Sequence, residues 1–499
     1  MKLMRYALAA SNCNIFTCNG NKLINTDQFV QHETIIPYNE VFHYVIILSH
    51  EFSHIFNTLK KTAATFNIAT LVSITTLFSI ATLFMVSASC SFKRAEDSQN
   101  SSVSDTEDDY TVAAYYFPNY HPDARNIRRY GPGWTEWDLV KEARPRFDGH
   151  QQPKVPEWGY TDESDPYQME QKISAAAEHG LDAFVFDWYY YDDGPFLEDA
   201  IEEGFFNADN NDEIDFSLMW ANHDWVEIFP ADSANLMDAD GPDILYPGKI
   251  SLNTWDKMCD YLIKTYFTHP CYWEIDGAPY FSIYDISKFM EIFGSLEATE
   301  KGVDQFRQKV IAAGFKDLHL NAVVWGQTIL PSEKIIPEEE IEKLLTGIGF
   351  TSTTSYVWIH HVTPEFPTHS YNDVKTKYFA YADKFSKEMS LPYFPNITMG
   401  WDSSPRTNQE ESFRKLEYPY MGIITDNTPA NFEQALVDMK NYLDVHPKSQ
   451  NIFIINCWNE WTEGSYLEPD TINHMAYLEA IDKIFNQKQI IGQMQKKIN

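Results

Sequence analysis

From residue 110 onward the chain alternates short, nearly continuous apolar runs with longer stretches in which apolar residues recur every three to four positions. Eight of the short runs are rich in β-branched and aromatic residues and are bounded by polar residues, Gly or Pro, as strands are: 112–117, 183–188, 216–220, 280–284, 318–324, 348–354, 393–399 and 452–457. The stretches between them read as amphipathic helices at 165–179, 252–267, 303–313, 372–389 and 430–445, two of them closing at Gly180 and Gly314. Eight repeats of strand and helix predict an α/β protein, a (β/α)8 TIM barrel at 111–488 followed by a tail at 489–499.

Residues 1–110 follow a different pattern. Lys60 and Lys61 precede a run without charge from 66 to 86, which ends in Ser87, Ala88, Ser89 and Cys90. Basic, apolar, small, cysteine is the order of a bacterial lipoprotein signal, so segment 59–90 is expected to export the chain and anchor it through lipid on Cys90, or to remain as one transmembrane helix. Residues 91–110, rich in Ser, Asp and Glu, then read as a flexible tether. Residues 1–58 are an unassigned extension consistent with a start-site artefact. They contain His50-Glu51-Phe52-Ser53-His54, a zinc-protease pattern discarded for want of a third ligand and a packed domain around it.

Composition narrows the function. With 72 acidic against 38 basic residues the formal net charge is −34, which makes phosphate-backbone binding unfavourable and removes nucleic acid as a partner. The six cysteines show no CxxC pair. Cys259 and Cys271 fit either one disulfide or two buried thiols. The acidic turns 209–212 and 238–241 do not complete a calcium loop and read as solvated turns, and no metal or cofactor is expected.

In a barrel of this kind the active site is built from the loops after the strands. Those positions carry Asn119-Tyr120-His121, Asp187-Trp188-Tyr189-Tyr190, Trp220-Ala221-Asn222-His223-Asp224, Asp285, Trp325-Gly326-Gln327, Tyr356-Val357-Trp358, Gly400-Trp401-Asp402 and Trp458-Asn459-Glu460-Trp461-Thr462-Glu463. Aromatics paired with carboxylates or amides suit sugars, whose C–H faces stack on rings while vicinal hydroxyls bind planar polar groups. Glu460 and Glu463 supply the two carboxyl groups that glycosidic cleavage needs, provided the chain turns at Gly464, and Trp458, Trp461 and Tyr466 are placed to desolvate one of them and raise its pKa, as a general acid requires. Glu468 is a third candidate, further from the strand.

The segment from Trp458 to Asp470 resembles the signature of the WbsX-like proteins, relatives of the family 99 glycoside hydrolases. Tyr115–Pro122, Gly133-Trp134-Thr135-Glu136-Trp137, Pro145 to Pro156, Leu181–Phe184 and Trp220-Ala221-Asn222 are similar to that family in order and spacing. The resemblance implies a (β/α)8 fold and, for its hydrolase branch, retaining cleavage inside an α-mannoside without a cofactor. It implies that Glu460 assists the substrate's own 2-hydroxyl in attack and that Glu463 protonates the leaving oxygen. Thr462 stands where those hydrolases carry His, which bears on the substrate more than on the reaction. Asn459, Trp134, Glu136, Asp187, Trp220, Asn222, Trp325, Tyr356, Asp402 and Tyr466 are the expected substrate-binding residues. The leading expectation is an exported, membrane-anchored, endo-acting glycoside hydrolase acting on an oligo- or polysaccharide. The alternatives are a glycosyltransferase of surface-polysaccharide assembly and a non-catalytic glycan-binding lipoprotein.

Overall fold

The computed structural model describes residues 110–238, 241–330 and 333–486. The expected signal or membrane segment with Cys90, the His50–His54 motif, linker residues 91–109 and the tail 489–499 lie outside the described residues. Among the described residues no helix is long and apolar enough to cross a membrane.

Among the described residues a closed parallel barrel forms from β1 (Thr111–Tyr116), β2 (Ala183–Tyr191), β3 (Asp215–Trp220), β4 (Ala278–Ile283), β5 (His319–Val323), β6 (Ser352–Thr354), β7 (Tyr393–Phe394 and Asn396–Thr398) and β8 (Ile452–Asn456). Each strand pairs with its neighbour in sequence, and β8 returns to β1 with Thr111 opposite Ile452. The seventh strand was expected as one run and comes in two pieces, because Pro395 between them has no N–H for the ladder. Its first piece pairs with β6 and its second with β8, so the barrel still closes.

The expected strand 348–354 is realised only at its end. The helix Glu338–Ile348 runs into it, with Ile341, Leu345 and Ile348 buried on one face, and Gly349 at φ 98° closes that helix in the left-handed region. A short apolar run that ends a helix looks the same in sequence as one that begins a strand.

The strands are almost wholly buried, and the helices cover them from outside. The helix Pro166–Glu178 illustrates how: Asp165 caps it through Tyr167 N–H, Pro166 opens its first turn, and Met169, Ile173 and Ala176 face the sheet. Burial of each such large side chain contributes roughly 1.5–3 kcal/mol. Lys172 on the same face is fully buried and pairs with Glu468 at 2.7 Å. Cys259 and Cys271 are separate buried thiols.

Candidate active site

At the C-terminal mouth of the barrel lies a cavity of about 650 Å3, its opening included. Glu460 and Glu463 both line it. A tight hairpin puts them there: Asn459–Glu460 pairs antiparallel with Ser465–Tyr466, and Trp461–Glu463 forms the turn. Gly464 closes the turn at φ 63° and packs so tightly that an added Cβ would lie 2.8 Å from the Asp402 Cβ. Position 464 therefore needs glycine for its backbone angle and for its neighbour.

The residue that organises the pair is Arg406, which the sequence reading missed. It sits in the short turn Ser404–Arg406 after β7, held by Asp402, whose Oδ1 accepts from Ser404 N–H at 3.1 Å. Its Nη1 donates to Glu463 Oε1 at 2.7 Å, its Nη2 to Glu460 Oε1 at 2.8 Å and its Nε to Glu136 Oε1 at 2.7 Å. Tyr418 donates to Glu463 Oε1 at 2.7 Å. The guanidinium lies against the rings of Phe117 and Phe229, at 5.3 and 5.4 Å from their centroids.

Three carboxyl groups thus surround one cation in a wall where Glu460 is 2% and Glu463 7% exposed. Burial pushes both groups above the usual carboxylate range; Arg406 opposes this and each group's negative neighbours reinforce it. Because both carboxyls face one guanidinium, they titrate as a pair and not as two independent groups. Asp187 lies on the same cavity wall, where burial raises its carboxyl well above the normal range. Its Oδ2 accepts from the Tyr356 hydroxyl at 2.8 Å, and its Oδ1 has no hydrogen-bond partner.

Of the expected residues, Glu460, Glu463, Asp187 and Tyr356 meet on the cavity wall. Glu136 lies beneath it, fully buried, bound to Arg406, to Asn119 Nδ2 at 2.6 Å and to Thr462 Oγ1 at 2.5 Å. Thr462 is also 3.3 Å from Glu460 Oε1, so it touches the carboxylate framework from behind. Two of the expected asparagines are clasps. Asn459 accepts from Phe117 N–H at 2.8 Å and donates to Phe117 O at 2.7 Å, tying the end of β8 to that of β1. Asn222 does the same to Asp285 at 2.7 and 2.8 Å, tying β3 to β4.

Trp134 stacks on Tyr130 and edges onto Phe229, and Trp325 packs on Tyr284, so each supports a ring that lines the cavity. Trp220 lies deeper, with its N–H on Tyr190 O at 3.3 Å. Asp402 and Tyr466 line a neighbouring cleft with His150, separated from the first by Trp401, which borders both. In that cleft burial would raise the Asp402 carboxyl, but hydrogen bonds from His150, Ser404 and Gln152 prevail and hold it at about 2. Trp458 and Trp461 were expected to surround the pair and turn instead to Glu468, donating at 3.1 and 2.7 Å. Lys172 pairs with the same Oε1 that accepts from Trp458, so Glu468 forms a structural ion pair away from the cavity.

The lining that was missed includes Tyr189, His223, Trp225, Phe229, Tyr284, Trp401 and Tyr418 beside Arg406. Tyr189, His223 and Trp401 stood in the strand-end segments already singled out. Arg406 and Tyr418 lie further along a loop, where no spacing rule marks them. Among the described residues no group of three or more His, Cys, Asp or Glu is arranged to hold a metal ion.

The family model described as "Glycosyltransferase WbsX" matches residues 112–481. The uncharacterized protein WxcX of Xanthomonas campestris pathovar campestris is 26% identical over 380 residues, covering 74% of this chain and 49% of the relative. The chain thus spans about half the length of the curated relatives it matches. Among solved structures, the GH99 endo-alpha-mannosidase from Bacteroides thetaiotaomicron is similar at 13% identity and a TM-score of 0.42, covering 77% of this chain and 98% of that one. A glycoside hydrolase-like protein is similar at 14% identity and a TM-score of 0.46, covering 77% and 96%.

Proposed function

The chain belongs to the WbsX glycosyltransferase family, whose members process glycans, and from that premise we propose that it is a retaining, endo-acting glycoside hydrolase of α-mannosidic or related linkages. One observation carries the reading: Glu460 and Glu463 line one cavity and share one guanidinium. Two carboxyls on one cavity wall, both raised by burial above the usual carboxylate range, offer an acid and a base to the same bond.

In the proposed cycle Glu463 gives its proton to the leaving glycosidic oxygen while Glu460 takes the proton of the substrate's 2-hydroxyl, which attacks the anomeric carbon. That attack closes a three-membered ring; Glu463, now ionised, takes a proton from the water that attacks the anomeric carbon, and Glu460 returns its proton to the 2-oxygen as the bond between that oxygen and the anomeric carbon breaks. Arg406 keeps the two carboxyls in register and Tyr418 holds the Glu463 oxygen. The unpartnered Asp187 Oδ1 is a ready acceptor for a sugar hydroxyl.

The family's description speaks of transfer, and hydrolysis is favoured here by charge. Among the described lining residues Arg406 is the one permanent cation, and three carboxyl groups already surround it. A nucleotide-sugar donor would bring its diphosphate into a field of the wrong sign. The deciding experiment incubates the full chain with α-linked oligo- and polysaccharides, α-mannan included, and reads product size and anomeric configuration by NMR. Release of shorter reducing sugars with retained configuration is expected. Glu460→Gln and Glu463→Gln should each lower the rate by about 100-fold or more; unchanged turnover in both overturns the assignment.

From the basic, apolar, small, cysteine order that ends at Cys90 we also propose that the enzyme is exported and anchored through lipid on that residue. Metabolic labelling with a radiolabelled fatty acid tests this, with label expected in the wild type and absent in Cys90→Ser.

A further inference from the structure

The segment after β3 brings to the cavity a histidine that the proposed cycle does not use. His223 lines the cavity, and β3 stands three strands round the barrel from β8, whose following hairpin carries the two glutamates. Its neighbours on both sides are tied down. Asn222 clasps Asp285, Asp224 Oδ1 accepts from Gly248 N–H at 2.7 Å, and Asp224 Oδ2 accepts from Lys288 Nζ at 2.8 Å. Gly248 packs against the backbone of Asn222 and His223 with no room for a side chain. The imidazole itself stands at steep angles to the rings of Tyr189 and Tyr284, with centroids 5.8 and 5.7 Å away.

The hydrogen bond on one ring nitrogen decides what the other can do. His223 Nδ1 lies 3.0 Å from Asp224 O, and a carbonyl oxygen only accepts, so Nδ1 carries the hydrogen and Nε2 the lone pair. Burial lowers this imidazole to about 4 against the pull of that hydrogen bond, so it stays neutral at physiological pH. Among the described residues no group donates to Nε2. Other polar groups of the same wall are already engaged: the Tyr284 and Tyr356 hydroxyls donate to Glu333 and Asp187, and both carboxylate oxygens of Asp224 are taken. A held acceptor without a donor gains from a hydroxyl that keeps its hydrogen and gains nothing from a carbon or a fluorine.

We infer that His223 is a specificity-determining residue: its Nε2 accepts a hydrogen bond from a hydroxyl of the sugar unit in the cavity, so the substrate is a glycan that carries this hydroxyl free, neither deoxygenated nor esterified nor etherified. The inference rests on reading the cavity as a sugar site and adds what that site demands of the sugar. Loss of the hydroxyl should weaken binding roughly 10- to 100-fold, because the acceptor is left stranded.

The test uses the full chain with p-nitrophenyl α-mannopyranoside and its monodeoxy and monodeoxyfluoro analogues at each hydroxyl in turn. Affinity is read by titration, and cleavage separately. At one position both analogues should bind roughly 10- to 100-fold more weakly than the parent, since fluorine accepts but cannot donate. His223→Phe, which keeps a ring between Tyr189 and Tyr284, should bring both ratios near one, and His223→Gln, whose amide oxygen accepts, should restore part of the difference. In the wild type, 15N NMR should show an unprotonated His223 Nε2 whose signal moves further with the parent than with that deoxy analogue, a result that stands even where the variants do not fold. Full affinity for every deoxy analogue, a fluoro analogue that binds like the parent where the deoxy analogue fails, unchanged ratios in His223→Phe, or no binding of the parent overturns the inference. Cleavage of a glycan without this hydroxyl dependence removes the inference and leaves hydrolysis standing; hydroxyl dependence in binding with no cleavage of any glycan does the reverse.

Discussion

Arg406 Nη1 donates to Glu463 Oε1 at 2.7 Å inside a wall where both side chains are more than nine-tenths buried. The contact sets the charge of the site, because the guanidinium opposes the effect of burial on Glu460 and Glu463 alike. Removing that cation raises both carboxyl pKa values further. Arg406→Gln should therefore move both limbs of the pH–rate profile to higher pH, with a loss of stability of roughly 3–5 kcal/mol from the stranded carboxyls. Arg406→Lys keeps the charge and loses the fork, so it should fold and still lose about 100-fold in kcat. A profile that stays in place in Arg406→Gln contradicts the role given to this residue.

The proposed division of labour between the glutamates separates on leaving-group chemistry. A dinitrophenyl leaving group needs no proton, so Glu463→Gln should recover much of its bond-cleavage rate on such a glycoside, while Glu460→Gln should not. Rescue of Glu460→Gln alone would reverse the two roles.

Asp402 couples the loop after β7 to the hairpin that carries Glu460 and Glu463, since its own N–H donates to Glu463 O at 2.6 Å. Its carboxyl is held at about 2 against an ordinary 3.8. A lowered carboxylate contributes stability above its unfolded pKa and loses it as pH falls through the folded value. Asp402→Asn should thus cost about 2 kcal/mol at pH 7, converting the shift at roughly 1.4 kcal/mol per unit, and about half of that difference should be gone by pH 3. Urea denaturation at the two pH values measures it.

Glu333 works in the opposite direction. Burial, outweighing its hydrogen bonds to Tyr284, Ile329 and Leu330, raises it from 4.5 to about 7. A raised carboxyl stabilises the fold below its unfolded pKa, and that contribution is lost as pH rises through the folded value. The wild type should lose about 3 kcal/mol between pH 4.5 and 7.5 on this account, and Glu333→Gln, which cannot ionise, should show a flatter dependence over the same window. Parallel slopes for the two proteins would count against it.

Asn459→Ala leaves Phe117 N–H and O without their clasp in a fully buried place. The expected cost is about 2–4 kcal/mol for two stranded backbone groups. Activity per folded molecule should also fall, because the hairpin carrying Glu460 begins at this residue.

The barrel was legible because its signal is repeated. Eight apolar runs alternating with helical stretches left one architecture, and each expected run overlaps a strand even where Pro395 splits one and the helix ending at Ile348 shortens another. The carboxyl pair was legible because both members lie in one short motif. The lining was not. Trp134, Trp220, Asn222 and Trp325 stand where strand-end residues should face a ligand, yet they brace the rings and backbone around the cavity. Residue type marks an aromatic or amide as able to bind sugar, but the same groups fill cores and tie strand ends equally well.

What the chain determined by itself is what depends on local order: the alternation of strand and helix, the turn that Gly464 permits, and the closeness of Glu460 to Glu463. Only the tertiary structure decided what those glutamates face. Arg406 reaches them from 54 and 57 positions away, and Glu136 joins through the same guanidinium. The reason is physical. Burial and Coulomb interaction act through space, over a few ångströms, and the charge state of a carboxyl pair is set by neighbours that sequence distance does not reveal.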